Sequence, residues 1–144
     1  MVSILQTFKP DAVIHFAGSI IVSESVENPL KYYLNNTICT TRFIAACKKA
    51  GVKRFLFSST AAVYGNQDVN LIGEDISPKP ENPYGTSKFM SERILRDCAL
   101  AHGMSYVILR YFNVAGADPQ GRAGQLSQTA THLIKIAVET VVGK

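Results

Sequence analysis

An α/β fold, with helices wound about a parallel sheet, is the architecture this 144-residue sequence predicts. Three observations predict it. Apolar-centred runs fall at 12–16, 53–60 and 106–112, each parted from the next by a segment long enough for a helix. That is the order of parallel βαβ units with right-handed crossovers. The first run, Ala12-Val13-Ile14-His15-Phe16, does not alternate polar with apolar, so its strand is expected to be buried on both faces. Asn-Pro occurs at Asn28-Pro29 and Asn82-Pro83, and both read as helix starts, because an Asn side chain caps an orphan amide and proline loses no bond at the first helical position.

Taken in order, residues 3–8 end a helix that Lys9-Pro10 stops, since the residue before proline is pushed out of the helical region. The first strand closes on Ala17-Gly18-Ser19. Such small residues serve either a ligand at the carboxyl end of a strand or a tight turn. A helix then runs from Asn28-Pro29 to Lys49-Ala50, with its cations gathered at the end and Gly51 as the stop. The second strand ends in Ser58-Ser59-Thr60, hydroxyls that suit a bound ligand or ordinary strand-end capping. Between Tyr64 and Pro83 lies a polar loop of the length that covers sites. The next helix spans Pro83 to about His102-Gly103, the third strand follows and closes on Asn113-Val114-Ala115-Gly116-Ala117, and 118–128 reads as flexible. A last helix over 131–142 carries Leu133, Ile134, Ala137, Val138 and Val141 at helical spacing, which reads as core.

Composition narrows the function. Hydrophobic residues make up 47% and the length is that of one domain, which excludes a disordered chain. The net charge of +4 is scattered, without an aromatic-interleaved basic stripe, so no nucleic acid is implied. No apolar stretch long enough for a bilayer and no export signal are visible, and no membrane partner is expected. Cys39, Cys47 and Cys98 are odd in number and lack metal-type spacing. They read as small core residues of a reducing compartment, the cytoplasm. His15, His102 and His132 are not grouped as ligands, so no metal is expected.

The chemistry centres on 82–88. Tyr84 and Lys88 stand one turn apart, just inside the helix that Asn82-Pro83 starts. An ammonium there can stabilise a phenolate and make Tyr84 an acid/base. Alone the pair is weak, because a surface helix also lays a Lys stem along a Tyr ring.

Five motifs in order strengthen it: His15-Phe16-Ala17-Gly18, Tyr32-Tyr33-Leu34-Asn35-Asn36, 57–65 (Phe57 to Gly65), Pro83-Tyr84-Gly85-Thr86-Ser87-Lys88, and 109–117 (Leu109 to Ala117). With these the chain resembles the extended short-chain dehydrogenase/reductase enzymes that act on nucleotide sugars, most closely those that invert C4 of a UDP-hexose. The resemblance implies a Rossmann-like, doubly wound parallel sheet, present here in part as β-α-β-α-β-α. The family's first βαβ units, with their glycine-rich phosphate turn, and its carboxyl-terminal substrate region are not in the chain. The whole chain is expected to be one piece of an NAD-binding domain, with little or no turnover by itself. By position the resemblance makes Tyr84 the acid/base, Lys88 the group that lowers its pKa and binds the nicotinamide ribose, and Thr60 the hydroxyl on the reacting sugar oxygen. It places Phe16, Ala17, Gly18, Asn35, Ser58 and Phe112 around NAD, and Asn113, His132 and Leu133 toward UDP-glucose or UDP-galactose. It further implies a homodimer through the helices at 29–50 and 83–102. Ile20 departs from the family, many of whose members carry a Lys there. A 4,6-dehydratase of the same fold would have an acidic pair after Thr60, where this chain has Ala61 and Ala62. In the complete enzyme with NAD bound, where Lys88 and an oxidised nicotinamide would both favour phenolate, Tyr84 is expected to titrate below the ordinary value of about 10.

Overall fold

Three parallel strands, β1 (Val13–His15), β2 (Arg54–Ser58) and β3 (Ser105–Leu109), lie side by side in chain order in the computed structural model. Residues 1–126 and 133–143 are described. They fall into two units, one running from Met1 to Tyr111 and the other starting at Phe112. All three strands and the helices between them belong to the first.

Helix α1 (Val2–Phe8) ends at Lys9, which takes a left-handed conformation and donates its N–H to Leu5 O. After β1 come a short α2 (Val22–Glu27), which sequence reasoning did not anticipate, and a run of helix from Pro29 to Ala50. That run is not uniform. It comprises α3 (Pro29–Tyr32), a π-helical segment (Tyr33–Ile38) and α4 (Cys39–Ala50). Asn28 caps its start by accepting from Lys31 N, and Gly51 ends it with φ 82°. Helix α5 (Pro83–His102) joins β2 to β3.

Sequential strand order means that both crossovers advance in the same direction, and parallel units of one hand then deliver their helices to the same face. Val13, Phe55 and Phe57 accordingly bury against Ile44 and Cys47 of α4 and Leu95 and Ala99 of α5. The opposite row, Ile14–Leu56–Val107 in register, stays open among the described residues, with Ile14 60% and Val107 51% exposed. The expectation of strands buried on both faces is therefore corrected. Their continuous apolar pattern is that of a doubly covered sheet, and one covering layer is present here.

The strands are also shorter than the apolar runs. β2 stops at Ser58 because Thr60 Oγ1 accepts from Ala62 N (3.1 Å) and turns the chain into a 3₁₀ segment, Ala61–Val63. The loop that follows is tied at its base, where Asn66 Nδ2 donates to Glu81 Oε2 (2.8 Å). Of the three cysteines expected in the core, only Cys47 is fully buried, and burial raises its thiol pKa to about 11. Cys98 is half-buried at the margin of the core and Cys39 is exposed. No helix among the described residues is long and apolar enough to cross a membrane.

In the second unit, α6 (Leu133–Val141) is the described part of the helix expected over 131–142. Its apolar residues, read from the sequence as core, are none of them buried in this structure.

Candidate active site

Helix α5 builds most of the site through its caps and a stripe of small and polar residues. Asn82 Oδ1 accepts from Gly85 N (2.8 Å), Pro83 sits at the first turn and Gly103 stops the helix at φ 64°. Gly85, Lys88, Glu92, Leu95 and Ala99 are buried at helical spacing. Gly85 is required because a Cβ there would stand 2.7 Å from Ala62 O. The first turn of α5 thus rides directly on the 3₁₀ segment, and this close approach brings Tyr84 to Thr60.

The hydroxyls that end β2 each take a different partner. Ser58 Oγ lies 2.5 Å from Tyr111 Oη, Ser59 Oγ donates to Glu92 Oε1 (2.5 Å), and the Thr60 hydroxyl stands beside the Tyr84 side chain, whose pKa it lowers. Glu92 is fully buried and accepts twice more, from Arg110 Nε (3.0 Å) and Nη2 (2.6 Å). The guanidinium in turn lies 4.8 Å from the Tyr64 ring centre. This pins α5 to the end of β3 behind the hydroxyls.

Lys88 Nζ donates to Ser58 O (2.9 Å) and stands 5.1 Å from the Phe57 ring centre. Burial lowers its pKa from 10.5 to about 8. The other face of this nest is aromatic: His15 stacks with Phe57 at 5.9 Å and holds Thr40 Oγ1 at 2.9 Å from Nε2. Burial first, and the Lys88 charge second, hold the imidazole below its usual pKa.

In this chain alone the pKa of Tyr84 is raised, with burial the largest cause, while Thr60 lowers it and Tyr111 adds to the rise. Desolvation outweighs the opposing Thr60 contribution, and the Lys88 ammonium is engaged by Ser58 O. The phenol is therefore expected to titrate above 10 in this chain, as read from the ring-carbon shift of labelled tyrosine. A midpoint below 10 would contradict it. The sign follows: the unfolded state loses this proton first, so the contribution to stability is full below pH 10 and falls as pH rises beyond it.

Gly18 and Asn35 meet the same region. A Cβ on Gly18 would lie 3.1 Å from Asn36 Oδ1 and 3.2 Å from Lys88 Nζ, and Asn35 Nδ2 donates to Ser19 Oγ (3.0 Å). Phe16, Ala17 and Gly18 are exposed beyond the end of β1. The structure thus brings Tyr84, Thr60, Lys88, Ser58, Gly18 and Asn35 to the carboxyl ends of β1 and β2 and the α5 helix beside them. Phe112, Asn113 and Leu133 belong to the second unit, all three exposed there, and His132 lies outside the described residues.

Sequence reasoning missed Asn36, Glu92 and Tyr111. For Asn36 a signal was present: Asn is a poor helix former and two stand side by side mid-helix. Glu92 was legible only as one more charge on an amphipathic helix.

The profile described as the NAD dependent epimerase/dehydratase family matches residues 1–142. The chain belongs to this family. Among family members it is 54% identical over 141 residues to the UDP-glucose 4-epimerase of Azospirillum brasilense, covering 98% of this chain and 40% of that one. It is 43% identical over 141 residues to that of Rhizobium meliloti, covering 98% and 43%. Its fold matches the UDP-glucose 4-epimerase from Brucella ovis in complex with NAD, with a TM-score of 0.93 and 44% identity over 99% of this chain and 44% of that one. The UDP-glucose-4-epimerase from Stenotrophomonas maltophila, with bound NAD and formylated UDP-arabinopyranose, matches with a TM-score of 0.91, 35% identity and coverage of 99% and 43%. The chain spans about two fifths of the length of the family members it matches.

Proposed function

We propose that this chain supplies the catalytic helix and strand ends of an NAD-dependent UDP-glucose/UDP-galactose 4-epimerase, an isomerase that inverts C4 of a UDP-hexose through a 4-keto sugar. One observation carries the reading: a half-buried phenol beside the Thr60 hydroxyl after β2, one helical turn before an ammonium buried beside the Gly18 loop. The residues suit a dinucleotide, since Gly18 leaves open the very point where a Cβ would crowd Lys88 Nζ. When bound, NAD supplies the two-electron acceptor for C4 and returns the hydride.

The chain's own groups move the proton and hold the ligands. Tyr84 would take the proton of the 4-hydroxyl as the ketone forms and give it back as the alcohol is restored, after the sugar has turned its other face. Thr60 would orient that oxygen and Lys88 would hold the nicotinamide ribose. Around NAD the proposal sets Phe16, Ala17, Gly18, Asn35, Ser58 and Phe112, and toward the UDP-sugar Asn113, His132 and Leu133. Burial keeps the phenol protonated in the chain alone, so its base form needs added positive charge. That is an electrostatic reason for an oxidised cofactor and this acid/base to work as a pair. The 4,6-dehydratase reading is disfavoured by Ala61, which is buried, and Ala62, neither of which can supply a carboxylate.

The test is a chimera in which this chain replaces the matching segment of the Azospirillum brasilense relative. It is expected to interconvert UDP-glucose and UDP-galactose, and Tyr84→Phe within it to lose about 10²–10⁴-fold in kcat. A folded chimera without turnover, or one indifferent to Tyr84→Phe, would refute the assignment. Sedimentation of the same chimera reads the homodimer the resemblance implies.

A further inference from the structure

Tyr84 stands half-buried in the first turn of α5. A tyrosine there can swing about its side-chain bonds unless neighbours fix it, and an acid/base must meet its substrate oxygen at a set distance and angle. The Thr60 hydroxyl lies beside this side chain. Its ring has a second neighbour in Tyr32 of α3, whose ring centre lies 6.3 Å away at an interplanar angle of 81°. Edge-to-face is a favoured arrangement of two aromatic quadrupoles. Two contacts of different kinds, one from a hydroxyl and one from a ring, therefore bear on one phenol.

Tyr32 is itself held fast. It is wholly buried, and its hydroxyl is engaged as acceptor and as donor. Oη accepts from Ile21 N (3.0 Å) and has one proton to share between Ile21 O (2.6 Å) and Glu24 Oε2 (2.8 Å). Glu24 is in turn paired with Lys31. These bonds serve α2, which begins at Ile21, a residue with no side-chain oxygen to cap a helix. The Tyr32 hydroxyl fastens the backbone of that residue instead. The helical run that starts with α3 is also tied to α5, where Thr37 Oγ1 donates to Ser87 O (3.1 Å) and Ser91 Oγ to Asn36 O (3.2 Å). Anchored at both places, the Tyr32 ring is a fixed surface for the Tyr84 ring to rest on.

We propose that Tyr32 is a positioning residue for Tyr84, its ring setting the tilt of the Tyr84 ring and shielding it from water on that side. Its bearing on catalysis rests on the reading of Tyr84 given above. The two parts of Tyr32 have separable tasks: the hydroxyl serves the start of α2, and the ring serves Tyr84. Around the Tyr84 phenol the titratable groups are Tyr111 after β3, Lys88 one turn along α5 and Tyr32 itself, with Glu24 and Lys31 beyond the Tyr32 hydroxyl. Burial first, and the Glu24 bond second, push the Tyr32 phenol up to about 12, so it keeps its proton well beyond pH 10.

The experiment uses the 144-residue chain with ring-labelled tyrosine and no cofactor or sugar, the Tyr84 signal being identified by its loss in Tyr84→Phe. The unaltered chain is expected to show a nuclear Overhauser contact between the Tyr32 and Tyr84 rings, and its absence overturns the proposal. Tyr32→Leu is expected to lower the Tyr84 midpoint by about half a pH unit or more as water reaches the phenol, and to speed Ile21 amide exchange at least about tenfold. Tyr32→Phe keeps the ring and drops the hydroxyl, so Ile21 exchange should quicken while the Tyr84 midpoint stays within about 0.2 unit. A folded Leu variant with an unmoved midpoint overturns the proposal, as does an equal shift in both variants. If Tyr32→Leu does not fold, Tyr32→Met, which fills the space without a ring, takes its place under the same criteria. Should neither fold, a moved Tyr84 midpoint in Tyr32→Phe overturns the proposal and an unmoved one upholds it. In the chimera, Tyr32→Leu should lower kcat about 10–100-fold with KM for UDP-glucose little changed, and Tyr32→Phe should restore most of the rate. Because the titration needs no substrate, a shifted midpoint with an inactive chimera would keep the positioning role and discard the enzymatic one.

Discussion

Replacing Glu92 with alanine is expected to destabilise the chain by about 3–5 kcal/mol, the range for removing one partner of a buried ion pair. That is a large part of the roughly 5–15 kcal/mol that holds an ordinary domain together. Two losses combine. Arg110, its side chain only 11% exposed, would keep its charge without the carboxylate that binds it twice, and the Ser59 hydroxyl would lose its acceptor. The guanidinium cannot escape by giving up its proton. Urea unfolding measures the change. Removing both charges together, as Glu92→Met with Arg110→Met, should recover most of the loss, because the stranded charge causes most of it. A single-variant loss under about 1 kcal/mol would show that water reaches the guanidinium, and that Glu92 does not pin α5 to β3.

Lys88→Met is expected to act in the opposite direction. At pH 7 the ammonium is charged in both folded and unfolded chains, but burial makes the folded one the worse place for the charge, as its pKa near 8 against 10.5 shows. At about 1.4 kcal/mol for each pH unit, this opposes folding by of order 3 kcal/mol. Losing the bond to Ser58 O takes back about 1 kcal/mol, so a net gain of about 1–3 kcal/mol at neutral pH is expected. The sign fixes where the gain ends. The unfolded state binds more protons between pH 8 and 10.5, so the stability of the unaltered chain rises with pH across that window, and the advantage of the Met variant fades over it. Equal stabilities at pH 7 would mean that the Ser58 and Phe57 contacts fully offset the burial. In the chimera the same substitution should weaken NAD binding, so stability and function would part company at one residue.

Much of this site was legible because it is encoded locally. Asn82-Pro83 set the start of α5 within one residue, as the Asn82 bond to Gly85 N shows. Gly51 and Gly103 marked helix ends that the backbone confirms with positive φ. The run of Ser58, Ser59 and Thr60 signalled a strand end with work for hydroxyls, but not which hydroxyl had which partner. Two of them proved to be committed within the fold, to Tyr111 and Glu92, and the third meets Tyr84. The π-helical segment was invisible, since hydrophobic spacing in a short window does not separate a turn bonded i to i+5 from one bonded i to i+4. Asn36, which the wide turn aims inward, was therefore passed over.

By itself, then, the amino-acid order determined that three parallel strands alternate with capped helices, where the principal helices begin and end, and that a tyrosine and a lysine share one face of α5. These follow from backbone preferences acting over a few residues. Only tertiary structure decided that one face of the sheet stays open among the described residues, that burial raises the Tyr84 pKa in the chain alone, and that Lys88 sits against Ser58 O and Phe57. Such outcomes depend on how much water is excluded from a group by elements distant in the chain, and desolvation is a property of the assembled surroundings that no short stretch of sequence carries.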